Sequence, residues 1–355
     1  MRTVLEKRSL DKALAVLSKV VGKRSALPQL TWLKVASSNG YSQLQATDLE
    51  KYLTVRVRSI TDEAGEVCVA MKEFAKLVKG REKEIGLWTE EDKFVVQAGG
   101  LKGMLSLGSV ESFPDFPVPT YKAVFPVRLL RSAIEKVGFA LPSKDNYRDY
   151  LRYVLMDGEG KNVNFVASDG YRLAYLGAEV SFDMRLKFPQ NGLKVLLELL
   201  KREKGEKVKL GKSEDFVFIA GTGWEMALRV LDWDYPDYKA VFPQEFKTRV
   251  LVDIKELDRA LESFSNLEMV VFHIGEGLTL RAEWTEYGEE HKVEVEVPAK
   301  VEGEGLVIAF NPKFIKQFTE INEGTVDMLL IDEENPVVFK LGEDYSYLVM
   351  PMRMR

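Results

Sequence analysis

The residues able to do chemistry in this chain are few and scattered. Only two histidines, His273 and His291, occur among 355 residues. Both lie in strand-like contexts without a neighbouring carboxylate–histidine ligand spacing, so a structural role is expected for each. The stretch Gly99-Gly100-Leu101-Lys102-Gly103 lacks the Gly-Lys-Ser/Thr ending with which a phosphate-binding loop holds nucleotide and magnesium. Asp232 and Asp234 flank Trp233 and have the residue types of a metal pair, but in a turn before Pro236 such carboxylates serve to accept backbone amides. Asp48 and Asp169 recur 121 residues apart, in Thr47-Asp48-Leu49-Glu50 and Ser168-Asp169-Gly170. A catalytic residue has no reason to be duplicated at that distance, whereas a repeated turn does. The single cysteine, Cys68, excludes an internal disulfide and most cysteine-based metal sites. No enzyme, no metal and no cofactor is expected.

What positions these residues is a module used three times. Leu10-Asp11-Lys12-Ala13-Leu14, with Leu17, returns as Leu130-Arg131-Ser132-Ala133-Ile134 with Val137, and again as Leu257-Asp258-Arg259-Ala260-Leu261 with Phe264. The starts lie 120 and 127 residues apart, a domain-sized period. Apolar residues at i, i+3, i+4 and i+7 predict a helix with one buried face. Alternating strand-like segments follow at Tyr52–Val57, Asn164–Ala167 and Leu278–Ala282. A second helix is expected at Met71–Gly80, Pro189–Leu200 and Asn311–Ile321, where Phe74, Gly192 and Phe314 are spaced by 118 and 122. Phe113-Pro114-Asp115-Phe116-Pro117 and Tyr235-Pro236-Asp237-Tyr238 close the first two copies, because proline lacks the amide donor a strand needs. Tyr345–Met350 reads as a last strand, stopped by Pro351. The expectation is an α+β chain of three tandem copies, each with two helices and antiparallel sheet, at 1-120, 121-246 and 247-355.

Composition bounds the setting. No signal-peptide core opens the chain and no apolar run nears the roughly 18 residues of a membrane span, so a cytoplasmic protein with no membrane partner is expected. Lys and Glu are abundant while Asn and Gln are scarce, a bias that suits a thermophile. The formal net charge is −5, yet its distribution is uneven. Residues 7–24 carry net +5, 71–83 and 126–148 each +3, and 185–204 +4. The third copy differs, with −2 over 253–262 and +1 over 311–320. The six helical segments total +14 and the remainder −19. Duplex DNA responds to a local basic surface rather than to the average, so basic helices could line a DNA path with acidic strands outward. Taken one at a time, such helices are ordinary solvated faces; four of six together favour DNA. No recognition-helix, zinc-finger or aromatic–basic pattern is present, so contact with phosphates, blind to sequence, is expected.

Five segments in order carry a family resemblance: Ala46-Thr47-Asp48-Leu49-Glu50, Ser168-Asp169-Gly170-Tyr171-Arg172-Leu173-Ala174, Tyr235-Pro236-Asp237-Tyr238, Phe310-Asn311-Pro312-Lys313-Phe314 and Val349-Met350-Pro351-Met352-Arg353. Along essentially its full length the chain resembles the bacterial sliding clamp, the beta subunit of the replicative DNA polymerase. The resemblance implies a head-to-tail homodimer ring of six clamp domains, helices lining the hole and sheets outside. It also implies a clamp loader that opens the ring, and docking of the replicative polymerase and other clamp-binding-motif proteins on an apolar pocket. By position that pocket comprises Leu151, Ser168, Gly170, Tyr171, Arg172, Leu173, Pro236, Ala240, Val241, Leu348, Val349, Met350, Pro351, Met352 and Arg353. Arg24, Arg148 and Tyr150 match places where the family touches DNA, and Arg152 is counted with them. The chain departs from the family in three places. Tyr171 stands for a usual histidine, Ala240 stands for a usual arginine, and the third copy is short between Phe264 and Leu278. The expected function is a processivity clamp encircling duplex DNA; the alternative is a scaffold of the same fold that does not encircle DNA.

Overall fold

The computed structural model describes the chain apart from residues 23–25, 39, 81, 144–147, 287–288 and 355. It divides into two compact units: Met1–Arg131 with Asn191–Asp232, and Ser132–Gln190 with Trp233–Arg355. The described residues form six α-helices: α1 (Lys7–Leu17), α2 (Met71–Leu77), α3 (Val127–Val137), α4 (Gln190–Arg202), α5 (Ile254–Glu262) and α6 (Pro312–Glu320). α1, α3 and α5 bury the repeated face: Leu10, Ala13 and Leu14 in α1, Leu130, Ala133 and Ile134 in α3, Leu257, Ala260 and Leu261 in α5. Truncating one such leucine to alanine removes about 2–5 kcal/mol. α5 is capped by Asp253, whose carboxylate accepts the Lys255 and Glu256 amides. α6 is capped by Asn311 with Pro312 at the first turn, a position that needs no amide donor.

Each copy supplies two sets of strands, and these sets join across copies. In the first unit a 12-stranded sheet runs from Leu101–Ser106 at one edge to Tyr121–Pro126 at the other. Its pivot is the 13-residue strand Lys51–Glu63. One end of that strand pairs with Arg2–Glu6 of its own copy, and the other pairs with Trp224–Arg229 of the second copy. The second unit repeats the device. Arg172–Glu179 of the second copy pairs antiparallel with Tyr345–Val349 of the third, with Arg172 opposite Val349 and Leu173 opposite Leu348, at the centre of a nine-stranded sheet.

The third copy's remaining set stands alone as a four-stranded sheet, ordered Glu289–Val297, Leu278–Glu286, Val270–Ile274, Leu306–Phe310. Its edge strand Glu289–Val297 occupies the repeat position that Lys51–Glu63 and Arg172–Glu179 hold in the other copies. Phe113–Pro117 lies outside the strands, as does Tyr235–Tyr238. The link after the first helix is also short in the third copy, residues 263–269.

Candidate functional site

The site is built on one turn. Ser168–Arg172 reverses the chain between Asn162–Ser168 and Arg172–Glu179. Ser168 donates its hydroxyl to the Arg172 carbonyl at 2.7 Å and accepts the Gly170 amide at 3.0 Å. Asp169 Oδ1 accepts the amides of Tyr171 and Arg172 at 2.9 and 3.1 Å, while Oδ2 takes the Arg172 Nε–H at 3.0 Å. Gly170 sits at φ +89°, a conformation that favours glycine, and a Cβ there would fall 1.6 Å from Arg148 Nη1, so any larger residue would also have to move that guanidinium. Asp48 accepts the Glu50 and Lys51 amides in the same way in the first copy. The duplicated aspartates are therefore turn residues, as their spacing predicts.

This turn forms one wall of an apolar cleft of about 210 Å³ within the second unit. Leu173 and Leu348, opposite one another on paired strands, make the floor together with Leu151. Tyr235, Pro236, Tyr238 and Val241 form the facing wall. Tyr238 is held by its hydroxyl, which donates to Asp157 and accepts from Asn164, each at 3.1 Å. The rim is open: Tyr171 is 55% exposed, Val241 48% and Met350 42%. Exposed apolar side chains around a pre-formed concave floor mark a candidate binding surface.

Ten of the expected pocket residues line the cleft: Leu151, Ser168, Gly170, Tyr171, Arg172, Leu173, Pro236, Val241, Leu348 and Met350. Five expected residues are not among its lining. Val349 is buried in the sheet opposite Arg172, and Ala240 is exposed in the short turn Lys239–Val241. Pro351 and Met352 are half-buried beside Ala309, to whose carbonyl Met352 donates its amide at 2.7 Å, and Arg353 is exposed. Arg148 and Tyr150, expected at DNA, also line the cleft, the Arg148 guanidinium lying 5.1 Å from the Tyr171 ring centroid. Arg152 pairs with Asp149 at 2.9 Å. Arg24 lies outside the described residues. Tyr235, Asp237, Tyr238 and Pro336 line the cleft without having been expected there. The first three belong to a motif already conspicuous in the sequence, while nothing in sequence marks Pro336.

The repeat shows why the cleft is open here. At the junction within the first unit, the positions matching Leu173, Leu348, Val338 and Tyr238 are Tyr52, Ala227, Phe218 and Phe116, the first and last from the first copy and the other two from the second. Tyr52 meets Phe116 edge-on at 6.0 Å and Phe216 at 5.8 Å, so aromatic rings fill the space that the aliphatic residues leave.

A second surface is basic. In the first unit α1 exposes Arg8 and Lys12 one turn apart, the turn after it exposes Lys19, and α4 exposes Lys194, Lys201 and Arg202. The two helices touch through Arg202 Nη1, which donates to the Lys12 carbonyl at 3.1 Å, and through an ion pair between Lys19 and Glu198. In the third copy Lys316 is instead bound to Asp258 at 3.0 Å and Arg259 to Glu256 at 3.0 Å, which fits the low charge of that segment.

The remaining chemistry-bearing residues have structural surroundings. Gly99 and Gly100 turn the hairpin between Lys93–Ala98 and Leu101–Ser106. His291 stacks on Trp284 at 5.3 Å. Burial first, then Arg281, pushes His273 below the usual histidine range. Cys68 is fully buried, which pushes its thiol up to about 11. Asp232 and Asp234 are exposed; the carboxylate that accepts a backbone amide in this turn is that of Asp237, from Lys239. Among the described residues no cluster of acidic, histidine or cysteine side chains could hold a metal, and no helix is long and apolar enough to cross a membrane.

Three family models match in tandem: DNA polymerase III beta subunit N-terminal domain over residues 1–118, central domain over 125–237 and C-terminal domain over 239–353. The chain is 27% identical to the beta sliding clamp of Pseudomonas aeruginosa and 26% identical to that of Vibrio cholerae, with all of each chain covered. Among solved structures it resembles the DNA polymerase III beta subunit of Thermotoga maritima, at 28% identity and a TM-score of 0.89. It also resembles that of P. aeruginosa, at 25% and 0.91; both matches cover all of each chain.

Proposed function

The chain belongs to the DNA polymerase III beta subunit family, the beta sliding clamps, and on that premise we propose that two copies close head to tail into a ring around duplex DNA. Each chain contributes three domains, half of the ring, divided at 1-120, 121-246 and 247-355. One observation carries this reading. Within the chain, Lys51–Glu63 pairs with Trp224–Arg229, and Arg172–Glu179 pairs with Tyr345–Val349. The third such junction has both halves but no pairing: Glu289–Val297 ends one sheet, and Leu101–Ser106, at the repeat position of Trp224–Arg229, ends another. A second copy supplies the missing partner to each edge, and an open antiparallel edge is a surface that asks for one. Charge fits as well, since Glu289, Glu290, Glu294 and Glu296 would meet a strand carrying Lys102.

The basic faces of α1 and α4 then serve as phosphate contacts, joined by Arg24, Arg148, Tyr150 and Arg152. Such contacts carry no base readout and exchange readily, which movement along the duplex requires. The cleft at Leu173, Val241, Leu348 and Met350 takes the hydrophobic side chains of a replicative polymerase and other partners, including a loader that opens the ring. The protein acts by topology and supplies no catalytic group. Retention on DNA tests the reading. After loading, the protein stays on nicked circular DNA and is lost when the circle is cut once. Equal retention on circles and linear duplex would overturn it, as would a monomer at micromolar concentration in light scattering.

A further inference from the structure

The basic face built by α1 and α4 carries a carboxylate between its two helices, Glu198. Glu198 lies on the stripe Lys194, Glu198, Lys201, Arg202, with four-fifths of its side chain buried among the long cationic side chains around it. Its Oε2 is bound to Lys19, in the turn that follows α1, and its Oε1 to Arg202 of its own helix. Both cations remain about two-fifths exposed, at 39% and 41%. Arg202 is also tied by Nη1 to the Lys12 carbonyl, so the carboxylate and its two cations sit where the two helices meet.

We propose that Glu198 limits the grip on DNA: it occupies Lys19 and Arg202 so that neither is fully available to a phosphate. This rests on the reading that the α1–α4 face meets duplex. A cation shared with a fixed carboxylate releases fewer counterions on meeting phosphate, and its attraction falls accordingly. The face keeps Arg8, Lys12, Lys194 and Lys201 for contact, while the two cations at its centre are held back. A clamp that must move along DNA gains from this arrangement, because each tight ion pair to phosphate adds to the barrier between neighbouring positions.

The test uses the full-length protein and a short duplex of mixed sequence, with binding followed by fluorescence anisotropy between low and moderate salt. Glu198→Gln and Glu198→Ala are compared with wild type, and Glu343→Gln, in an exposed turn of the other unit, matches the change in net charge. Both Glu198 variants are expected to bind about tenfold more tightly at low salt, with a log K against log salt slope steeper by roughly 1–2, since each freed cation adds about 0.9. Adding Lys19→Met to Glu198→Gln should take back about half of the added slope. Unchanged or weaker binding by both variants would mean that Glu198 orients the cations rather than masking them, and the proposal fails. Equal strengthening by Glu343→Gln would assign the effect to net charge and also overturn it. Loss of the underlying reading shows differently: wild type itself would not be retained on nicked circles.

Discussion

Arg172 donates its Nε–H to the Asp169 carboxylate at 3.0 Å, with only 6% and 8% of the two side chains exposed. Arg172 also donates to the Phe139 carbonyl at 2.9 Å and to Gln317 of α6, and its guanidinium lies 4.4 Å from the Phe314 ring centroid. The turn that walls the cleft is therefore anchored to two other elements through one buried pair. Removing one member leaves the other charged and without its partner, which costs about 3–5 kcal/mol. Asp169→Ala should lower stability by that order in urea titrations. Asp48→Ala, in the first-copy turn where Asp48 is 25% exposed, should cost less. Equal losses would mean that burial of the pair is not what matters.

Gly170→Ala should act on both backbone and cleft. The new Cβ meets Arg148 Nη1 and must displace the guanidinium from Tyr171, and φ +89° is strained for alanine. Affinity for a fluorescent peptide of the glutamine-plus-hydrophobe type, measured by anisotropy, is expected to fall by tenfold or more.

Met350 separates recognition from folding. Its amide is tied to the Tyr171 carbonyl at 2.8 Å, but its side chain is 42% exposed at the rim. Met350→Ala should weaken the same peptide about tenfold with little change in melting temperature. Deleting Met350–Arg355 should abolish peptide binding, and it also removes the Met350 and Met352 main-chain bonds, so a modest loss of stability is expected with it.

Lys102→Glu tests the edge pairing. It places a carboxylate opposite the acidic strand Glu289–Val297, and like charges facing across strands are destabilising. Light scattering should show the dimer shifted toward monomer at low salt and recovering as salt rises. A dimer unaffected at every salt concentration would place the interface elsewhere.

Glu203 supplies a pH-dependent term. Burial raises its carboxyl, but hydrogen bonds from the Gly205 and Thr222 amides and from the Trp224 indole outweigh it and hold the group below the usual carboxylate range. A depressed folded value gives stability that is present above the ordinary range and lost as pH falls through the folded value. Wild type should therefore lose melting temperature on acidification below about pH 4 more steeply than Glu203→Gln. Parallel curves for the two proteins would show that this carboxylate does not contribute.

Much of the fold is legible in the chain because its determinants are local. The spacing of Leu10, Ala13 and Leu14 fixes a helix face within two turns, and Leu130 and Leu257 repeat it. The duplicated Asp48 and Asp169 mark turns because a carboxylate satisfies amides two and three residues away. Of the ten cleft residues expected from sequence, five fall in the Ser168–Ala174 motif, Pro236 in Tyr235–Tyr238 and Met350 in the tail, while Leu151, Val241 and Leu348 follow from position along the family resemblance; the basic helices are legible through simple charge counts.

Tertiary structure decided the rest, where contacts join residues far apart in sequence. Leu173 and Leu348 are 175 positions apart, and only strand register places them side by side on the cleft floor. Whether such a floor is open depends on the residues opposite. Tyr52, Phe116 and Phe218 fill in the first unit what Leu173, Tyr238 and Val338 leave open in the second, and no one-dimensional pattern records that volume. Charge counting likewise could find Lys19 and Arg202 but not that Glu198 holds both, since that depends on two helices packing side by side.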